Sequence, residues 1–416
     1  MATAIAKSAG FGKDMLLRGE LQRSERRRKL CAFALVLPLL LFLVITFVFP
    51  IGRMMFNAIH DETLLALMPR TTAALAAWDG NDLPDEQVYA ALAKDLTDSW
   101  ERRTMGAIGA RMNLELPGAG SQLTSSARKA STLSAGPYKA ALIQIDPLWE
   151  RKEVWSLLKR GGSPYTAYYL LRSVDYQYGP DGQIVATPPD NAIFRAAFLR
   201  TLGISVAVTV VTLLLGFPVA YLLATLPPKS SNLLMIMVVL PFWTSMLVRT
   251  VAWVVLLQHN GIVNQTLMGL HIISQPADLI FNRFATIVAM AQIQLPFTLL
   301  PIYSVMRTIP PSHIRAARSL GAGSFYAFWR VYFPQTLPGI SAGCLLTFIS
   351  CLGYYLTPAL VGGPSDQMVG YFIANYTNKQ LNWGLASALG AILLVATLLL
   401  YYVFDKLVGV DRIKIR

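Results

Sequence analysis

Cysteine, histidine and charge are all scarce in this chain of 416 residues, which has three cysteines, four histidines and 14% charged side chains. Cys31, Cys344 and Cys351 fall inside apolar runs, where a free thiol behaves as a small core residue, so a disulfide framework is excluded. His60, His259, His271 and His313 are scattered and have no second ligand at metal spacing, so no metal site is expected. No G-x-x-x-x-G-K-[ST] run occurs, which excludes ATP hydrolysis by the chain itself. Gly321 and Gly323 begin a G-x-G-x-x-G pattern, but Tyr326 stands where the third glycine belongs and no buried strand precedes it. A nucleophile elbow with a base is also lacking, so no residue is expected to be catalytic and the chain does not read as an enzyme. The net charge is +13, yet the basic residues flank apolar runs instead of forming a stripe with aromatics, which argues against nucleic acid.

What is abundant is apolar surface. Hydrophobic residues make up 54% of the chain, far above a soluble domain, so the expected class is an all-α membrane protein. Six runs are long enough to cross a bilayer: 30–50, 199–224, 233–257 with a kink at Pro241, 284–306, 339–357 and 383–404. The first follows a basic segment, 1–29. A signal peptide has that layout, but this run is of full spanning length and no A-x-A site follows, so it reads as a retained helix.

Between the first and second runs lies a large polar insert, 51–198, dense in Asp, Glu, Lys and Arg. Short helices are expected near 87–102 and 148–159, and a flexible link over the Ser-, Gly- and Ala-rich 117–137. The insert shows no catalytic constellation; it reads either as a docking or regulatory domain or as a spacer. Lys229, the arginines from Arg307 to Arg330 and the tail 409–416 fall on one side by the positive-inside rule. Both termini are thereby cytoplasmic and the insert extracytoplasmic. Gly339 and Gly343 form a G-x-x-x-G pair that lets another helix approach closely. No Asp or Glu falls within the six runs. Arg249 lies in one and reads either as snorkelling to the headgroups or as part of a path with Trp243, Thr244 and Trp253.

The segment 310–338, PPSHIRAARSLGAGSFYAFWRVYFPQTLP, is polar and lies between apolar runs. Ser312 is expected to cap a short helix carrying Arg315, Ala316, Ala317 and Arg318, with Gly321 as its left-handed stop. Ser324 is expected to open a second, bearing Phe325, Phe328, Trp329 and Tyr332 and ended by Pro334.

This pattern resembles the EAA loop of the inner-membrane permeases of binding-protein-dependent ABC importers. Ala316, Ala317 and Gly321 stand at the motif positions, and Val331, Phe333 and Pro334 at its hydrophobic end, while Arg315 replaces the motif's glutamate. Over 198–407 the chain is most similar to spermidine/putrescine-type permeases, in FLRTLGISVAVTVVTLLLGFPVAYLLA, TSMLVRTVAWVVLLQHNGIVNQ and GYYLTPALVGG. The resemblance implies a five-helix core, 199–408, that follows the first helix and carries a cytoplasmic coupling loop, 307–335. It implies a bacterial inner-membrane location, a second permease subunit, a periplasmic solute-binding protein and a cytoplasmic ATPase dimer that holds the ATP and Mg. For ATPase coupling it points to Arg315, Ala316, Ala317, Arg318, Gly321, Phe325, Trp329 and Pro334.

The expected solute is a polyamine, met by aromatics such as Trp253, Tyr354 and Tyr355 through cation–π contact. Arg249, the one clear intramembrane charge, favours instead an anionic or zwitterionic, amino-acid-derived solute. An ion-coupled secondary transporter would need intramembrane ionisable residues, which are nearly absent.

Overall fold

The structure, a computed structural model, describes residues 28–133 and 136–408. The basic segment upstream of Arg28 and the tail after Val408 lie outside the described residues. Among the described residues six helical stretches are long and apolar enough to cross a membrane; they follow the order read from the sequence, except that the third is Met246–Gly269 and not 233–257. The described residues form two compact units, divided between Phe56 and Asn57.

The first unit is a single helix that runs to Asn57, seven residues past Pro50 where the sequence suggested its end. A π-turn, Val44–Val48, explains this. The Phe49 N–H reaches back to the Val44 carbonyl, and the wider turn makes room for a proline ring that would otherwise strike the preceding turn.

The second unit begins with a domain of short helices inserted before the second span, which starts at Phe194. Its core gathers Tyr89, Leu92, Leu96, Ile108, Met112, Leu123, Trp149 and Trp155. The aromatic polar atoms are satisfied inside: Tyr89 Oη donates to the Trp149 carbonyl (2.8 Å), Trp155 Nε1 to the same oxygen (3.1 Å), and Trp149 Nε1 to Ser126 Oγ (3.1 Å). Helices Glu86–Glu101 and Lys152–Arg160 match expectation. The link over 117–137 does not: Ala119–Ala130 is a helix. Its small residues are a contact face, since Leu123, Ala127 and Ala130 are buried and a Cβ on Gly109 would lie 3.1 Å from Gly120 Cα. A two-stranded antiparallel hairpin, Tyr176–Tyr178 with Ile184–Ala186, completes the domain.

Two side-chain groups fasten this domain to the bundle. Asp175 is buried, with φ +61°, and its carboxylate accepts the N–H groups of Phe194 (3.1 Å) and Arg195 (2.7 Å). An anion thus caps the second span where its dipole is positive. Tyr168 and Tyr169 pack with Phe194, Ala197, Leu385 and Leu389, joining the starts of the second and last spans. Gly384 is the close approach, because a Cβ there would enter the Tyr169 ring. Within the domain, Asp61 binds Arg111 and accepts from Tyr169 Oη (2.9 Å), bracing the tyrosine that meets the last span.

Spans Phe194–Thr225, Arg283–Thr308 and Ser324–Leu352 form the tight centre of the bundle. Thr298 is its polar hub, donating to Thr212 (2.9 Å) and meeting Thr347 (2.6 Å). The G-x-x-x-G pair works within the chain: a Cβ on Gly343 would lie 2.5 Å from the Thr298 carbonyl, and one on Gly339 2.9 Å from that of Pro301. The run 233–257 is broken, not merely kinked. Helix Pro228–Val239 gives way to a 3₁₀ turn, Leu240–Trp243, then to extended Thr244 and Ser245 before helix Met246–Leu257. Pro241 cannot donate, and the residues after it leave the helical region. A further helix, Ile262–Gly269, occupies the expected loop beyond it, and the last span is Trp383–Val408. The run 339–357 likewise ends earlier, at Leu352, with a separate helix Leu356–Val361 after the Gly353 turn.

Candidate coupling loop and solute path

Pro310 precedes a nine-residue helix, Pro311–Ser319. Pro311 takes the first position, where its missing N–H costs nothing, so Ser312 lies inside the helix and is not its cap. Gly321 has φ +89°, its N–H donates to the Arg318 carbonyl (3.0 Å), and the Ala322 N–H reaches that of Ala317 (3.1 Å). This pair of bonds is a Schellman stop that only a residue tolerant of positive φ supplies cheaply.

The second stub is not a separate helix. Ser324–Ala327 runs through a π-turn, Phe328–Tyr332, into the fifth span, so Pro334 lies within a continuous 29-residue helix and does not end it. The Phe333 N–H bonds the Phe328 carbonyl, and this widened turn accommodates the following proline. What protrudes is therefore one stub, one turn and the tip of a span.

The buried side of this protrusion is aromatic. Phe328 stands edge-on to Tyr221 (5.5 Å) and Phe217 (6.4 Å), and Tyr332 edge-on to Tyr221 (5.5 Å). His313 Nδ1 meets Gln335 Oε1 at 2.9 Å, tying the stub to the span. Phe194 and Tyr221 are 27 positions apart on one helix, about 40 Å of axis, so the inserted domain and this loop lie at opposite ends of the second span.

The outer side of the loop is unpartnered and apolar. Leu320 is 89% exposed and Phe325 78%, with Trp329 also exposed. Arg315, Ala316 and Arg318 are exposed and Ala317 half-buried. Leu320 was missed in the sequence, although its place one residue before the glycine stop puts it at the tip. No acid occurs between Arg283 and Asp366, so the surface is basic as well as apolar.

The expected path residues divide. Arg249 lies over the Phe242 ring (5.5 Å) with its Nε buried and without a partner. Tyr354 Oη meets Met246 Sδ (3.3 Å) and is within electrostatic reach of Arg249. Trp253 Nε1 donates to Gln292 Oε1 (3.3 Å), and Thr250 meets Thr357 (3.1 Å). Trp243, Thr244 and Tyr355 are exposed at the helix break or after the Gly353 turn, and Thr244 Oγ1 bonds only the Pro241 carbonyl (2.7 Å). Sequence reasoning missed Gln292, Gln294 and Ser205. Gln294 Oε1 and Ser205 Oγ are buried without protein partners. It also missed Asp366, buried and paired with Arg283 (3.0 Å) in a Gly-Pro turn.

A helical bundle with broken spans, uncommitted polar groups in its interior and a bare apolar loop at one end is a multi-pass transport component. The chain belongs to the family of binding-protein-dependent transport system inner membrane components, whose profile matches residues 201–410. It is 36% identical over 222 residues to the spermidine/putrescine transport system permease protein PotB of Haemophilus influenzae, covering 53% of this chain and 78% of that one. The Escherichia coli protein of the same name is 32% identical over 214 residues, covering 51% and 78%. A crystal structure of a bacterial ABC transporter involved in the import of the acidic polysaccharide alginate covers 53% of this chain and 80% of its own, at a TM-score of 0.43 and 20% identity. The inserted domain precedes the family match.

Proposed function

We propose that this chain is the permease subunit through which an ATP-driven importer moves a polyamine across the bacterial inner membrane. The carrying observation is the loop 310–329, whose exposed Leu320, Phe325 and Trp329 beside Arg315 and Arg318 form a small apolar and basic plug. Such a patch on an otherwise satisfied turn fits a groove on a cytoplasmic ATPase dimer. The arginines support a topology with this loop and both termini in the cytoplasm and the inserted domain outside, where a periplasmic solute-binding protein would deliver solute. A second permease subunit completes the path.

In this reading ATP-driven closure of the ATPases displaces the plug, and the spans reorient around the broken third span. ATP and Mg belong to the ATPases, and no cofactor is assigned to this chain. Polyamine selection is supported by the relatives' names and by the aromatics Trp253 and Tyr354, which suit cation–π contact. A second reading, an anionic or zwitterionic solute, is favoured by one observation: the partnerless Nε of Arg249. Uptake of labelled spermidine into proteoliposomes that hold the full complex tests both. ATP-dependent spermidine uptake that survives an excess of anionic competitors is expected. Uptake of none of the polyamines, with anions transported instead, would reverse the choice.

A further inference from the structure

Arg307, Arg315, Arg318 and Arg330 are all exposed in or beside the loop 310–329, and no acid occurs between Arg283 and Asp366 to offset them. Among the described residues none of these four side chains makes an ion pair or a hydrogen bond. Arg318 has one internal compensation, since it lies in the last turn of helix Pro311–Ser319, where the dipole is negative. Arg315 precedes that turn and has none. Its neighbours three and four positions away are Pro311, Ser312, Arg318 and Ser319, so at helical spacing it meets a like charge and no acid.

Leu320 stands five positions after Arg315, about 8 Å along the helix axis. A groove that takes in the bare side chains of Leu320 and Phe325 therefore draws Arg315 out of bulk water with them. A guanidinium desolvated without a partner weakens an interface, and basic groups in the groove would add repulsion. A carboxylate instead meets the planar fork with two parallel hydrogen bonds.

We infer that the ATPase groove receiving this loop is acidic and that one of its carboxylates pairs with Arg315. This rests on the coupling reading of the loop and names the chemistry of the partner's side. The test is rebinding of the importer's own ATPase to the ATPase-stripped permease complex in phosphatidylcholine nanodiscs, for wild type, Arg315→Gln, Arg315→Glu and Leu320→Ser. Glutamine and glutamate favour a helix about as well as arginine, so the stub is kept. Affinity is expected to fall about tenfold or more in Arg315→Glu, and added salt to weaken wild type more than Arg315→Gln. In Arg315→Lys a carbodiimide, which condenses an amine with a touching carboxylate, is expected to link residue 315 to an Asp or Glu of the ATPase. Unchanged affinity in Arg315→Glu with loss in Leu320→Ser would overturn the acidic groove and leave the coupling reading standing; unchanged affinity in both would overturn the two together. An effect of Arg315→Glu that appears only when phosphatidylglycerol is added to the nanodiscs would assign the arginine to lipid headgroups and overturn the pairing.

Discussion

Single residues decide whether the inserted domain holds its shape at low pH. Burial pushes the Asp61 carboxyl up, but Arg111, with hydrogen bonds from Thr63 and Tyr169, outweighs this and holds it below the usual 3.8 of an aspartate. A carboxylate with a lowered folded value stabilises the fold at pH above 3.8, and that contribution is lost as pH falls through the folded value. Melting curves of wild type and Asp61→Asn at pH 7 should therefore differ by about 3–5 kcal/mol, the cost of breaking a buried pair, and the gap should shrink below pH 3.8. A gap that stays constant with pH would show that the pair with Arg111 does not form. Gly343 is a second such residue. Gly343→Val drives a side chain against the Thr298 carbonyl, and overpacking of this kind costs about 1–3 kcal/mol. Thermal unfolding in detergent reads the loss, and an unchanged midpoint would mean the fourth and fifth spans are not in close contact.

At the scale of elements, the loop 310–329 works because a short helix stops abruptly and exposes its tip. Gly321→Val places a β-branched residue at φ +89°, a strain of about 1–2 kcal/mol, and displaces Leu320 and Phe325 from their common outer side. Uptake is expected to fall severalfold while ATPase activity of the reconstituted complex persists. Equal loss of both activities, or of neither, would contradict a coupling role. The existence of this loop was legible in the sequence, since the glycine stop and its polar flanks are local signals. That its second half is the tip of a span was not legible, because a proline reads as a breaker until a π-turn absorbs it. The break at Leu240–Ser245 was legible only as a kink: Pro241 marks the place, but the extent of unwinding depends on neighbours distant in sequence.

For the whole molecule, the inserted domain is a mounted body and not a tether. Asp175 caps the second span and Tyr169 packs against Gly384 at the start of the last. Deleting 58–193 removes that cap, worth about 1–2 kcal/mol, and uncovers Phe194, Leu385 and Leu389. The truncated chain is expected to unfold at lower temperature and to assemble poorly when size-exclusion profiles are compared. A deletion with wild-type stability and uptake would reduce the domain to a spacer.

Apolar run length by itself determined six helices, their order and the place of the large polar insertion, because a bilayer demands about 20 apolar residues per crossing whatever surrounds them. The glycine stop and the basic loop were equally local. Tertiary structure alone decided that the Ser- and Ala-rich segment 119–130 is a core helix, that Asp175 belongs to a span 19 residues later, and that Gly339 and Gly343 serve an internal contact. Those outcomes depend on which surfaces meet, and a linear pattern of residue types carries no record of its partners across space.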